Sequence, residues 1–162
     1  MNPSPAARED WRGLRCTRIT LPNGDSVRVS DFGAQVLSWN ARGQERMFLS
    51  ERAVLDGTAA IRGGVPVCFP QFNQRGPLPK HGLARRTTWD WLGAEVQGHA
   101  VTTRWQWAAA APLHPDFPHA LQAELAVTLS PDTLQITLSA TNTGSTALAF
   151  TGALHTYLAV QG

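Results

Sequence analysis

Leu121-Gln122-Ala123-Glu124-Leu125-Ala126-Val127-Thr128-Leu129 places an apolar residue at every second position, and Gln122, Glu124 and Thr128 fall between them. Pro131-Asp132 interrupts the pattern, and Leu134-Gln135-Ile136-Thr137-Leu138-Ser139-Ala140 resumes it. A period of two sends alternate side chains to opposite faces of an extended chain, so each run buries one face and wets the other. Two such runs joined by a proline-aspartate turn predict an antiparallel pair. The same period recurs upstream in Val101-Thr102-Thr103-Arg104-Trp105-Gln106-Trp107, whose valine and two tryptophans share a face.

Nearer the start, Leu14 to Leu21 and Ser26 to Phe32 flank Pro22-Asn23-Gly24-Asp25. Asparagine-glycine between such runs is a strong hairpin signal. Gln35 to Asn40 reads as a third short strand, and Thr143-Gly144-Ser145 as a further turn. The last run, Ala147 to Val160, is nearly all apolar and reads as a buried strand carrying His155. Nothing shows helical spacing over three turns. The fold class expected is all-β, an antiparallel β-sandwich. Residues 1–12, with two prolines and few apolar groups, read as a flexible arm. Residues 13–162 read as one sandwich unit.

Composition narrows the function. The 162 residues are 43% hydrophobic and 16% charged, which suits a packed globule and excludes a disordered chain. A net charge of +2 without a basic tract gives no nucleic-acid footprint. No apolar run has the length of a membrane span. The N-terminus lacks the basic and apolar regions of a signal peptide. Cys16 and Cys68 have no metal-ligand spacing and read as reduced thiols, so a cytoplasmic setting is expected.

Between Arg42 and Lys80 the pattern breaks into glycine and proline. Ile61-Arg62-Gly63-Gly64-Val65-Pro66-Val67-Cys68-Phe69-Pro70-Gln71-Phe72 leads to Pro79-Lys80-His81-Gly82-Leu83-Ala84-Arg85. Paired glycines let backbone pass close to a neighbour or a ligand, and prolines stiffen the path. Arg62 on one loop with Lys80, His81 and Arg85 on a second can form an anion clamp, because guanidinium matches phosphate oxygens bidentately. The same residues also read as a proline-rich crossover with solvated charges. His155 in an apolar strand also reads as a core histidine. His99, His114 and His119 read as surface residues, and the six tryptophans as core.

The segments "IRGGVPVCFPQF", "HGLARRTTWDW" and "GALHTYLAV", with "SWNARGQERMFLSERAVLDG" upstream, resemble in order the signature segments of the glucose-6-phosphate 1-epimerase (hexose-6-phosphate mutarotase) family of the aldose 1-epimerase superfamily. The likeness runs over about residues 14–162. It implies a galactose mutarotase-like β-sandwich that interconverts the α and β anomers of a hexose 6-phosphate, with no cofactor and no metal. Carried over by position, it implies that Arg62 contacts the substrate phosphate and that Lys80 and Arg85 line the site. His81 is then a hydrogen-bond partner of the sugar and His155 the general acid. Arg86 stands where the family commonly has a small polar residue and inherits no role.

The chemistry suits these residue types. Opening a hemiacetal needs a proton delivered to the ring oxygen and one removed from the anomeric hydroxyl, and histidine titrates near neutrality. The resemblance places the family's basic glutamate beyond Gly162. The chain is therefore expected to be the N-terminal portion of the sandwich, truncated at its C-terminus and weak as a mutarotase alone. An exposed sheet edge is expected to favour oligomerisation. The alternative is a non-catalytic β-sandwich fragment that binds a sugar phosphate.

Overall fold

In the computed structural model, which describes residues 4–161, the chain is all-β. Strands β1 (Ala6–Trp11), β2 (Leu14–Thr20), β3 (Ser26–Ser30), β4 (Gln35–Ala41) and β5 (Gln44–Glu45) make one antiparallel sheet in sequential order. After two short elements come β7 (Asp90–Gln97), β8 (Ala100–Ala109), β9 (Leu121–Ser130) and β10 (Thr133–Asn142), which form a second sheet in the order β10-β9-β8-β7. The two short strands β6 (Val67–Cys68) and β11 (Ala153–Leu154) pair with each other. Among the described residues the one helical element is a 3-10 turn at Ala84–Arg86, and no helix is long and apolar enough to cross a membrane.

The alternation places the core between the sheets. Ile19, Val27 and Val29 of the first sheet meet Val101, Trp105, Leu121, Leu125 and Val127 of the second. Strand β9 alternates buried and half-buried residues along its whole length. On the other face of the first sheet, Leu14, Cys16 and Leu37 pack with Phe32, Leu55 and Ile61 in a second cluster. That cluster is the platform from which the Ile61–Gly64 segment rises.

Polar ties lock the sheets together. The Asp31 carboxylate accepts two bonds from the Arg8 guanidinium and one from the Trp105 indole N–H at 2.9 Å. At the opposite end, Asp25 accepts the Arg42 and Asp132 amides, and Arg42 pairs with the Asp132 carboxylate.

Two expectations are corrected. The supposed arm carries β1, which pairs with β2 from Ala6↔Ile19 to Trp11↔Leu14, so residues 6–11 are sheet; residues 1–3 lie outside the described residues. Its turn uses Arg12 and Gly13 at φ of 53° and 95°, and an arginine in the left-handed region carries no turn signature in sequence. The final apolar run is not one buried strand either. Only Ala153–Leu154 pairs as a strand, because its neighbours are the glycine- and proline-rich segments. Phe150, Leu158 and Val160 are exposed, and so is His155. Strand β7 carried no clear alternation, and the register shift between Trp91 and Gly93 explains why.

Candidate functional site

Three irregular segments converge outside the sheets, each held by backbone bonds rather than by a regular ladder. The first is Ile61–Val65. Its Gly64 sits at φ +59°, and a Cβ there would lie 1.9 Å from the Val36 carbonyl oxygen. Only glycine allows this approach, which the Gly64 and Val65 amides use to reach the Phe48 and Val36 carbonyls, both at 2.8 Å. Gln35, fully buried, donates its amide to the carbonyls of Ile61 (3.1 Å) and Gly63 (2.7 Å). Arg62 stands between those two anchors and is exposed.

The second segment is the loop of Lys80 to Arg85. His81 adopts φ +67°, a left-handed conformation that the neighbouring bonds enforce. Its amide donates to the Asn73 carbonyl, the Gly82 amide donates to Pro79, and the Leu83 and Ala84 amides share the Phe69 carbonyl. Arg85 turns back to donate to the Lys80 carbonyl at 3.0 Å. The third segment runs through His155 and Tyr157, whose amides donate to the carbonyls of Pro66 and Gly64. The Tyr157–Gly64 bond ties the third segment to the first, and the second is fastened to the chain that follows the first through Phe69 and Asn73.

The result is an open cleft of about 630 Å³ lined by Arg62, Lys80, His81, Arg85, Phe48 and Tyr157, among others. Four of the five residues singled out in the sequence line it. The fifth, His155, sits beside it, its ring edge-on to His81 with centroids 5.8 Å apart. The Tyr157 ring lies 4.9 Å from His155 on the other side. Phe48, Tyr157 and the packing of Phe72 on His81 at 5.3 Å were not read from the sequence. Tyr157, Phe48 and Phe72 all lie inside the quoted segments, so position was available as a signal, but nothing in their residue type marked them as cleft residues. Trp89 is buried in the core.

The electrostatics are one-sided. Among the described residues, none of the ion pairs involves Arg62, Lys80 or Arg85. Among the described residues no carboxylate lines the cleft either. Cations without a carboxylate partner leave a positive field in the cleft, which attracts anions. Burial, then the charges of Arg85, Lys80 and His155, hold the His81 imidazole below its ordinary value, so it stays neutral. Its Nδ1 accepts the Asn73 amide at 3.0 Å, which leaves the ring proton on Nε2. No group of three or more His, Cys, Asp or Glu able to hold a metal occurs among the described residues.

The aldose 1-epimerase family matches residues 16–162. The chain belongs to that family. It is 35% identical over 170 residues to a Cenchrus ciliaris protein named "Putative glucose-6-phosphate 1-epimerase", across 98% of this chain and 49% of that one. An Escherichia coli protein of the same name is 48% identical over 61 residues, 35% of this chain and 20% of that one. Among solved structures, a Salmonella typhimurium protein titled "putative mutarotase" superposes with a TM-score of 0.82 at 26% identity, over 97% of this chain and 52% of that one. A galactose mutarotase-like protein from Clostridium acetobutylicum shares the fold, with a TM-score of 0.70 at 18% identity over 85% of this chain and 48% of that one. This aldose 1-epimerase family chain spans about half the length of these two full-span relatives.

Proposed function

We propose that this chain supplies the phosphate-binding and acid side of a hexose-6-phosphate mutarotase site, with glucose 6-phosphate as the substrate type. The observation that carries the reading is the cleft in which Arg62, Lys80 and Arg85 face no counter-ion beside a neutral histidine. A phosphate dianion satisfies the cations, and the sugar then reaches the histidines. His155, exposed and free to exchange protons with water, protonates the ring oxygen as the bond from that oxygen to the anomeric carbon breaks. His81 donates its Nε2–H to a neighbouring sugar oxygen. A base takes the anomeric hydroxyl proton, the aldehyde forms, and reclosure on the other face returns both protons. Among the described residues no carboxylate lines the cleft, so the base is not part of what this cleft contributes. That same observation favours the second reading, a sugar-phosphate binding fragment without catalysis. Two buried free cysteines suit a reducing, cytoplasmic setting for either.

Calorimetric titration with glucose 6-phosphate and with glucose tests the binding. The phosphorylated sugar is expected to bind more tightly, and Arg62→Ala to remove a charge-assisted contact of about 1.5–3 kcal/mol. Equal affinity for the two sugars refutes a phosphate site. Polarimetry on α-glucose 6-phosphate separates the two readings, since the binding fragment leaves the spontaneous rate unchanged.

A further inference from the structure

We propose that Gln71 is a positioning residue that fixes His81 as an Nε2–H donor toward the cleft. This rests on the reading of His81 as a substrate contact. Gln71 is only 3% exposed, and both ends of its carboxamide are occupied. Its Nε2 donates to the carbonyls of Asn73 (2.8 Å) and Leu78 (3.0 Å), and its Oε1 accepts the Leu78 amide at 2.8 Å. The loop it gathers is polar and open, with residues 73–77 all exposed. Apart from the Arg75 amide bonding Phe72 at 3.2 Å, that stretch has little internal bonding. It wraps so closely that a Cβ on Gly76 would lie 2.6 Å from the Gln71 Oε1.

Asn73 transmits this anchoring. Its carbonyl accepts both the Gln71 amide and the His81 backbone N–H at 3.0 Å. Its own N–H points at the His81 Nδ1, also at 3.0 Å. Asn73 and His81 both hold positive φ, at 51° and 67°, so neither relaxes into an ordinary loop conformation while these bonds stand. Phe72 completes the frame, its amide donating to the Thr151 hydroxyl and its ring packing at a tilt against His81. An imidazole whose Nδ1 is occupied by a backbone donor must keep its proton on Nε2. Burial, and then the charges of Arg85, Lys80 and the neighbouring His155, oppose a second proton. Gln71 therefore sets which nitrogen donates, without touching the cleft itself.

Nitrogen-15 NMR of the imidazole groups in the full chain, at about pH 8, where histidine is neutral, reads the tautomer directly. Wild-type His81 is expected to show an unprotonated Nδ1 and a protonated Nε2. In Gln71→Met the two nitrogens are expected to move toward the averaged values of the exposed His99, while the amide spectrum of β8 to β10 stays in place. Gln71→Glu keeps the acceptor for Leu78 and loses both donors; it gives the same shift and serves if the methionine variant does not fold. A folded Gln71 variant with His81 unchanged, or a wild type protonated on Nδ1, overturns the assignment. Anomerisation measured alongside keeps the two proposals apart. A tautomer shift in a chain with no effect on anomerisation leaves Gln71 in its role and sinks the mutarotase reading instead.

Discussion

Replacing Gly64 by alanine tests whether the arginine-bearing segment depends on close backbone contact. The new Cβ would meet the Val36 carbonyl oxygen at 1.9 Å, its carbon at 2.9 Å and the Leu37 Cα at 3.1 Å. All three belong to β4 backbone, so no side chain can swing aside and the strands must part by more than an ångström. A left-handed alanine alone costs about 1–2 kcal/mol. Parting the strands also breaks the Gly64–Phe48 and Val65–Val36 bonds, worth about 1 kcal/mol each. The expected loss is therefore about 3–4 kcal/mol. Gly24→Ala is the control, because its φ is +90° yet nothing lies within 4 Å of the added carbon. It carries only the backbone strain, about 1–2 kcal/mol. Urea unfolding followed by tryptophan fluorescence compares the two, and glucose 6-phosphate titration reports whether Arg62 has moved. Equal losses from the two variants, or a Gly64→Ala chain with native stability, would refute the argument that this segment needs its glycine for contact.

Asp31→Ala strands the Arg8 guanidinium and the buried Trp105 N–H, and is expected to cost about 3 kcal/mol; a denaturant shift below about 1 kcal/mol counts against it. His81 binds its proton less readily folded than unfolded, so its stabilising contribution is complete above the ordinary value of 6.5 and disappears as pH falls through the lower folded one. The stability gap between wild type and His81→Gln should then shrink on acidification, and a gap that widens contradicts the assignment. Burial pushes the Cys16 thiol up to about 12, from 9.0. Stability tied to this group is present below pH 9.0 and is lost as pH climbs toward that value, and native Cys16 is expected to resist a thiol reagent that labels the unfolded chain at once.

The sequence made the second sheet legible because β8, β9 and β10 hold strict alternation, which only an extended strand with one buried face rewards. It hid β7 because a bulge at Gly93 breaks that period, and β1 because its turn places an arginine at positive φ. The apolar run from Ala147 misled for a different reason. Apolar composition signals burial only when a layer lies over it, and Phe150, Leu158 and Val160 have none among the described residues. The charged and histidine residues of the cleft were legible as chemistry, but their convergence was not. Gly64 beside Arg62, His81 and His155 are held by backbone carbonyls of Phe48, Asn73 and Pro66 respectively, and a carbonyl leaves no trace in residue identity. Gln35 and Gln71 show the same limit: these buried glutamines brace the loops beside the cleft, and although Gln71 lies in the quoted segment of residues 61–72, neither carries a charge that marks its role.

The proposed division of labour follows from where the two histidines sit relative to the cations. His81 is partly buried, crowded by Arg85 and Lys80 and pinned at Nδ1, so in the free protein it can give a hydrogen bond but resists a second proton. His155, the proposed acid, lies one ring further out and is exposed to water. A phosphate dianion bound between Arg62, Lys80 and Arg85 would offset the positive field that His81 feels. The cations that select the substrate would thus add to burial in keeping His81 neutral before binding, and a bound phosphate would relieve their part. The opposing contribution from burial remains, since desolvation is the larger cause. Phosphate recognition and the protonation state of the sugar-facing histidine are then one electrostatic arrangement. A sugar lacking the phosphate would lose the anchoring and leave the positive field on His81 unrelieved, so its weaker binding would come without any change in how firmly His81 refuses a second proton.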